Sequence, residues 1–143
     1  NQVFMNILAN AIDALEDSPK FSAQATSPTA NLETKIQKVL QRASHLEVLA
    51  EQTTPTVWIR TELAANHQIA IRILDNGTGI PESLRTRLFD PFFTTKPVGK
   101  GTGLGLSISY QIITDRHRGH LTCHSVPGMG TEFTIAIPIV QRK

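Results

Sequence analysis

Glycine falls at every second position from Gly99 to Gly105 in the run GKGTGLGL, and Asp75-Asn76-Gly77-Thr78-Gly79-Ile80 stands 24 residues before it. Inside a helix or strand, glycine costs roughly 1 kcal/mol against alanine, so packing alone gives no reason to concentrate it. Close approach of bare backbone to a phosphorylated ligand does. The two clusters lie between strand-like and helix-like segments, and one is headed by a carboxylate. The first reading is nucleotide binding.

Composition sets limits on that reading. A chain of 143 residues fits one domain and can bury roughly 68% of its unfolded surface. Its net charge of +2 makes no case for nucleic acid, which needs a clustered basic face. The single cysteine, Cys123, excludes an internal disulfide and a thiolate metal cluster; within an alternating run it reads as a small buried hydrophobe. No apolar run is long enough to span a membrane, and no signal peptide is present. The chain opens in what reads as mid-helix without a start methionine, which implies a piece of a larger protein.

The periodicity predicts a helix over 2–16. Phe4, Ile7, Leu8, Ala11, Ile12 and Leu15 form an apolar stripe, while Gln2, Asn6, Asn10 and Asp13 share the other side. A solvated helix face is normally Lys and Glu. Amides with one carboxylate instead fit a site that needs oxygen ligands, and an Asn carbonyl suits Mg²⁺. Residues 17–30 read as a flexible loop rich in Ser, Ala, Thr and Pro. Leu32, Ile36, Val39, Leu40, Ala43, Leu46 and Ala50 then predict an amphipathic helix over 32–50, with Pro55 closing the segment. Own-core packing and docking of a partner are both open to that helix.

Strand-like alternation follows. Val57, Ile59, Thr61 and Leu63 alternate with Trp58, Arg60 and Glu62 as a half-buried strand. After a turn near Asn66, Ile69, Ile71 and Ile73 alternate again, and Asp75 shares their inward parity. A buried Asp needs a donor to satisfy it. Leu121 and Cys123 mark a short strand, joined through Pro127-Gly128-Met129-Gly130 to a run of Phe133, Ile135 and Ile137, with Thr131 on its inward side. Between them, Leu104 to Arg118 reads as a largely covered helix.

The order of these motifs resembles the ATP-binding domain of bacterial sensor histidine kinases. Asn6-Ile7-Leu8-Ala9-Asn10-Ala11 is similar to the family's N box, and the 75–80 cluster to its first glycine box. Phe89-Asp90-Pro91-Phe92-Phe93-Thr94-Thr95-Lys96 resembles the F box, 99–106 the second glycine box, and Gly128-Met129-Gly130-Thr131-Glu132-Phe133 the closing segment. The likeness covers nearly all of the chain except 17–56, which reads as an insertion.

The resemblance implies an α/β sandwich, a mixed sheet covered on one face by about three helices, with 90–103 as a flexible ATP lid. It implies that Asp75 accepts the adenine amino group, supported by Thr131, with Gly77, Gly79 and Ile80 lining the turn beneath the base. Asn10 becomes the Mg²⁺ ligand, and Asn6 lines the same phosphate site. The run Gly101, Thr102, Gly103, Leu104, Gly105, Leu106 holds the phosphates, and Lys100 and Lys96 pair with them. Catalysis by Asn6, Asn10 and Lys100 is then positioning and charge neutralisation.

Departures from the family pattern choose among chemistries. Hydrolases of the superfamily carry a general-base Glu where this chain has Asn6, an amide that cannot accept a proton. That points to γ-phosphoryl transfer onto a histidine of a separate dimerisation domain, cytoplasmic, with a response regulator downstream and no nucleic-acid or membrane contact. The alternatives are an ATP-sensing switch of the same fold, or an ATP hydrolase or serine kinase of the superfamily. Many kinases carry Lys where this chain has Asp13. The leading strand and the histidine-bearing helix pair are absent from the sequence. Ser44-His45-Leu46-Glu47 lacks the flanking residues of an acceptor site. The remaining histidines lack zinc spacing.

Overall fold

The computed structural model describes residues 1–21, 46, 52–97 and 99–140. Helix α1 spans Gln2–Glu16, strand β1 Val57–Ala64 and strand β2 Gln68–Asp75. A single turn, α2, covers Glu82–Arg85. Helix α3, Gly105–Gln111, runs on as a π-turn over Ile112–Arg116, and the hairpin of β3, His120–Val126, and β4, Gly130–Pro138, ends the fold. At the π-turn the Thr114 hydroxyl donates to the Tyr110 carbonyl at 2.9 Å, a back-bond that loosens a helix ladder.

The sheet runs β1-β2-β4-β3, and every pairing among the described residues is antiparallel. The two-layer α+β architecture therefore stands, but the mixed sheet gives way to an antiparallel one. Two tight hairpins account for this. β1 and β2 are joined by Ala65-Asn66-His67, where Asn66 and His67 adopt φ of 59° and 56°, the paired left-handed geometry that matches strand twist. The α3 connection does bring β3 parallel to β2, but β4 is inserted between them.

Helices α1 and α3 cover one face of β2, β4 and β3. Ile7, Ile73, Ile113, Leu121, Phe133 and Ile135 close the core between the layers, each contributing about 1.5–3 kcal/mol on burial. The flanks depart from the expected pattern. α1 buries Val3, Ile7 and Ala11, whereas Phe4 and Ile12 of the expected stripe are exposed. The helix is wedged against α3, so its buried face is rotated toward that neighbour. β1 is inverted in the same way: Ile59 and Leu63 are 49% and 77% exposed, beyond the reach of either helix. Arg60 and Glu62 are the better covered. Glu62 takes the Arg72 Nε–H at 2.9 Å and pairs with Arg60 at 2.9 Å on the outer sheet face.

The helix expected over 32–50 lies outside the described residues except for Leu46. That residue is helical and 1% exposed, packed with Leu74, Trp58 and Val126 on the outer face of the sheet. His45 is likewise outside the described set. Cys123 packs half-buried against the core, and burial pushes its thiol up to about 12.

Candidate nucleotide site

A cleft of about 670 Å³ opens between α1, the end of β2 and the 90–103 segment. Its floor is the inward face of the sheet. Period-two alternation along β2 places Asp75 below Ile73, and the register sets it opposite Thr131 of β4. Asp75 is 3% exposed, and its Oδ1 accepts the Gly77 N–H at 2.9 Å. Burial raises its carboxyl to about 6, against the opposing pull of the Gly77 and Thr131 backbone N–H groups.

The floor is locked by contacts that sequence periodicity does not announce. The Ser125 hydroxyl accepts the Ile80 N–H at 2.7 Å, donates to the Gly130 carbonyl at 2.8 Å, and lies 3.0 Å from the Thr131 hydroxyl. It ties the first glycine box to the β3–β4 hairpin. The available signal was its parity: a hydroxyl on the same side as Leu121 and Cys123. Gly130 has φ of +134°, and a Cβ there would stand 1.9 Å from the Asp75 carbonyl oxygen. Only glycine permits that approach.

Asn76, fully buried, faces away from the cleft. Its Oδ1 accepts the Thr56 N–H at 2.9 Å and its amide donates to the carbonyls of Thr54 and Gln52. On the inner side, the Thr78 N–H donates to the Ala14 carbonyl at 3.3 Å, fastening the glycine box to the last turn of α1.

The polar face of α1 forms the other wall. Asn6, Asn10 and Asp13 all line the cleft, as helical spacing requires of residues about one turn apart. Asn6 is also a strut: its amide donates to the Gly105 carbonyl at 2.9 Å and to the Ser109 hydroxyl at 3.1 Å. Asn10 brings a neutral amide oxygen to this wall, a donor that fits a hard cation such as Mg²⁺. Lys96, arriving from the loop, pairs with Asp13 there.

Of the residues the sequence singles out, Asn6, Asn10, Asp13, Asp75, Gly79, Ile80, Lys96 and Lys100 line this single cleft, as do Gly101, Thr102, Gly103, Gly105, Leu106 and Thr131. Gly77 and Leu104 do not; Gly77 sits behind Asp75, against Ala14, and Leu104 precedes the first turn of α3. The sequence reading missed an apolar wall from Pro81, Leu84 and Leu88. The 90–103 segment has no regular structure among its described residues. Phe92 within it is 74% exposed at φ of 65°. Phe93 is covered by the Arg87 guanidinium, 4.6 Å from its centroid. Among the described residues no group of three or more His, Cys, Asp and Glu could hold a metal, and no helix is long and apolar enough to cross a membrane.

The chain is similar to known proteins in sequence and in fold. The sequence pattern of the histidine kinase-, DNA gyrase B-, and HSP90-like ATPases matches residues 1–141. The chain is 49% identical over 81 residues, 57% of its length, to the signal transduction histidine-protein kinase AtoS of Escherichia coli. It is 33% identical over 138 residues, 96% of its length, to the two-component sensor PprA of Pseudomonas aeruginosa. It spans only 13% and 12% of those two proteins. Among solved structures, the catalytic domain of histidine kinase ThkA superposes with a TM-score of 0.51 at 33% identity, covering 73% of this chain and 67% of that one.

Proposed function

The chain belongs to the histidine kinase-, DNA gyrase B-, and HSP90-like ATPase family, and from that premise we propose that it binds Mg-ATP in this cleft and donates the γ-phosphoryl group to a histidine on a separate helical domain of a two-component sensor kinase. Asp75 carries the reading. A carboxylate 3% exposed at the floor of an open cleft requires a donor, and the exocyclic amino group of adenine is one. An acceptor-only group also rejects a base with a carbonyl at that position.

Around that contact the other residues take their roles. Thr131 supports the base, and Gly77 and Gly79 turn the backbone beneath it. Asn6, Asn10 and Asp13 face the triphosphate, with Asn10 offering its side-chain oxygen to Mg²⁺. When bound, that ion would neutralise charge on the phosphate oxygens. Backbone amides from Gly101 to Leu106 follow the phosphates, and Lys96 and Lys100 add positive charge.

Asn6 separates transfer from hydrolysis. Its amide is engaged with Gly105 and Ser109 and takes no proton, so water in the cleft is not activated. The nucleophile must come from outside: a histidine nitrogen bonds to the γ-phosphorus as the bond to the bridging oxygen breaks and ADP leaves. The chain's part is orientation and charge placement. A response regulator would take the phosphoryl group next, in the cytoplasm.

Mixing this chain with its parent's histidine-bearing helical domain and radiolabelled ATP tests the proposal. An acid-labile, base-stable label on that domain is expected, with almost no free phosphate from the chain alone. Brisk phosphate release without a partner would favour hydrolysis. Nucleotide binding with no labelled histidine would favour a switch.

A further inference from the structure

The phosphate end of the cleft contains an unexpected charge arrangement. Helix α1 has no Lys or Arg in Gln2–Glu16, so its wall of the cleft offers a nucleotide no cation. The charged side chains it brings to the cleft are both acids: Asp13, one turn beyond Asn10, and the C-cap Asp17. A bare carboxylate there would repel a triphosphate. Lys96 answers that charge from the loop. Its ammonium is paired with Asp13 Oδ2 and stands 3.5 Å from Asn10 Oδ1, while its backbone N–H is fixed by the Thr94 hydroxyl at 3.1 Å.

We propose that Asp13 is a positioning residue for Lys96: paired across the cleft, it aims the loop's ammonium at the phosphate end, so the cation serving the triphosphate is supplied by the loop instead of the helix. This rests on the nucleotide reading above and deepens it. An ammonium carries three N–H donors. With one on Asp13, two are left for phosphate oxygens, and Asn10 Oδ1 stays available to the metal. A lysine stem has high rotamer freedom when unanchored; Asp13 removes much of it before the nucleotide arrives. Lys100, exposed at the rim of the same cleft, has no such side-chain anchor among the described residues.

The sign of one effect separates this role from its alternatives. If Asp13 is merely an acid near the phosphates, Asp13→Asn removes repulsion and tightens ATP. If it aims Lys96, the same change weakens ATP. Calorimetric titration of the intact chain with Mg-ATP and with adenosine is the test. Asp13→Asn and Lys96→Gln should each lower ATP affinity by about five- to tenfold and leave adenosine affinity unchanged. The double variant should be no weaker than the weaker single, and Asp13→Glu should restore most of the affinity. Tighter or unchanged ATP binding in Asp13→Asn, or losses that add in the double variant, would overturn the proposal. Loss of adenosine binding in the variants would assign the pair a structural role and overturn it as well. Failure of the unaltered chain to bind adenosine would instead defeat the nucleotide reading, and this role with it.

Discussion

At the sheet end of the cleft the polar groups are fixed by backbone: Asp75 by the Gly77 N–H, Ser125 by Ile80 and Gly130. At the α1 end they meet through long side chains from separate segments, Lys96 reaching Asp13 and Asn10. The first arrangement has one solution, because strand register and buried hydrogen bonds leave no alternative pairing. The second can re-pair, because an ion pair about a third exposed is worth little more than about 1 kcal/mol. On the function proposed above, recognition of one base and release of a shortened phosphate chain both gain from that division. Selection lies where nothing moves, and exchange where partners can be traded.

Three changes break or sharpen the contrast. Gly130→Ala strikes the fixed end hardest, since its Cβ would meet the Asp75 carbonyl at 1.9 Å. It should cost more than about 3 kcal/mol, read as a large drop in the denaturation midpoint together with loss of adenosine binding.

Asp75→Asn comes next and should weaken adenosine about tenfold or more, or about 1.4 kcal/mol, with circular dichroism unchanged. The pH dependence gives the sign. Because the fold raises this carboxyl from 3.8 to about 6, the folded state holds more protons than the unfolded chain in that window. Asp75's contribution to unliganded stability therefore grows as pH falls through it and is lost as pH rises through about 6. Adenosine affinity should move the opposite way, falling as the acceptor is protonated below about 6. The asparagine variant should flatten both profiles, and parallel profiles would contradict the adenine contact.

Gly99→Ala, at the adjustable end, should matter least. A Cβ there meets nothing within 4 Å, and only the φ of +90° resists it, a cost of about 1–2 kcal/mol in a loop able to relax. A loss matching that of Gly130→Ala would show the 99–105 run to be as rigid as the sheet floor.

Much of this was legible in the sequence because it rests on short-range periodicity. The 3.6-residue repeat put Asn6, Asn10 and Asp13 on one wall, and strand parity turned Asp75 inward. What periodicity does not specify is which neighbour covers which flank. Phe4 and Ile12 belong to the apolar stripe of α1, yet the helix leans on α3 and leaves them exposed. Ile59 and Leu63 alternate like core residues, but β1 is the edge strand and neither helix extends over it. Arg72 became intelligible only once register set it beside Glu62 and Glu132. Ser125 was hidden for a related reason, since one of its partners, Ile80, lies in a turn 45 residues earlier in the chain. Leu46, on the outer sheet face, shows one point of the 32–50 pattern buried against the domain's own residues.

The buried Asn76 amide has a consequence for how such a chain can change over time. The strand that carries the acid is stitched on one side to Thr54 and Thr56, just before β1, and two residues later to Ala14 at the end of α1. The end of α1 and the start of β1 are thus fastened to neighbouring residues, Thr78 and Asn76, of one loop. Closing a longer loop between fixed clamps adds only about 0.6 kcal/mol per doubling. Sequence can accumulate or disappear between those clamps, giving evolution a place to graft new parts while the buried Asp75 stays where it is.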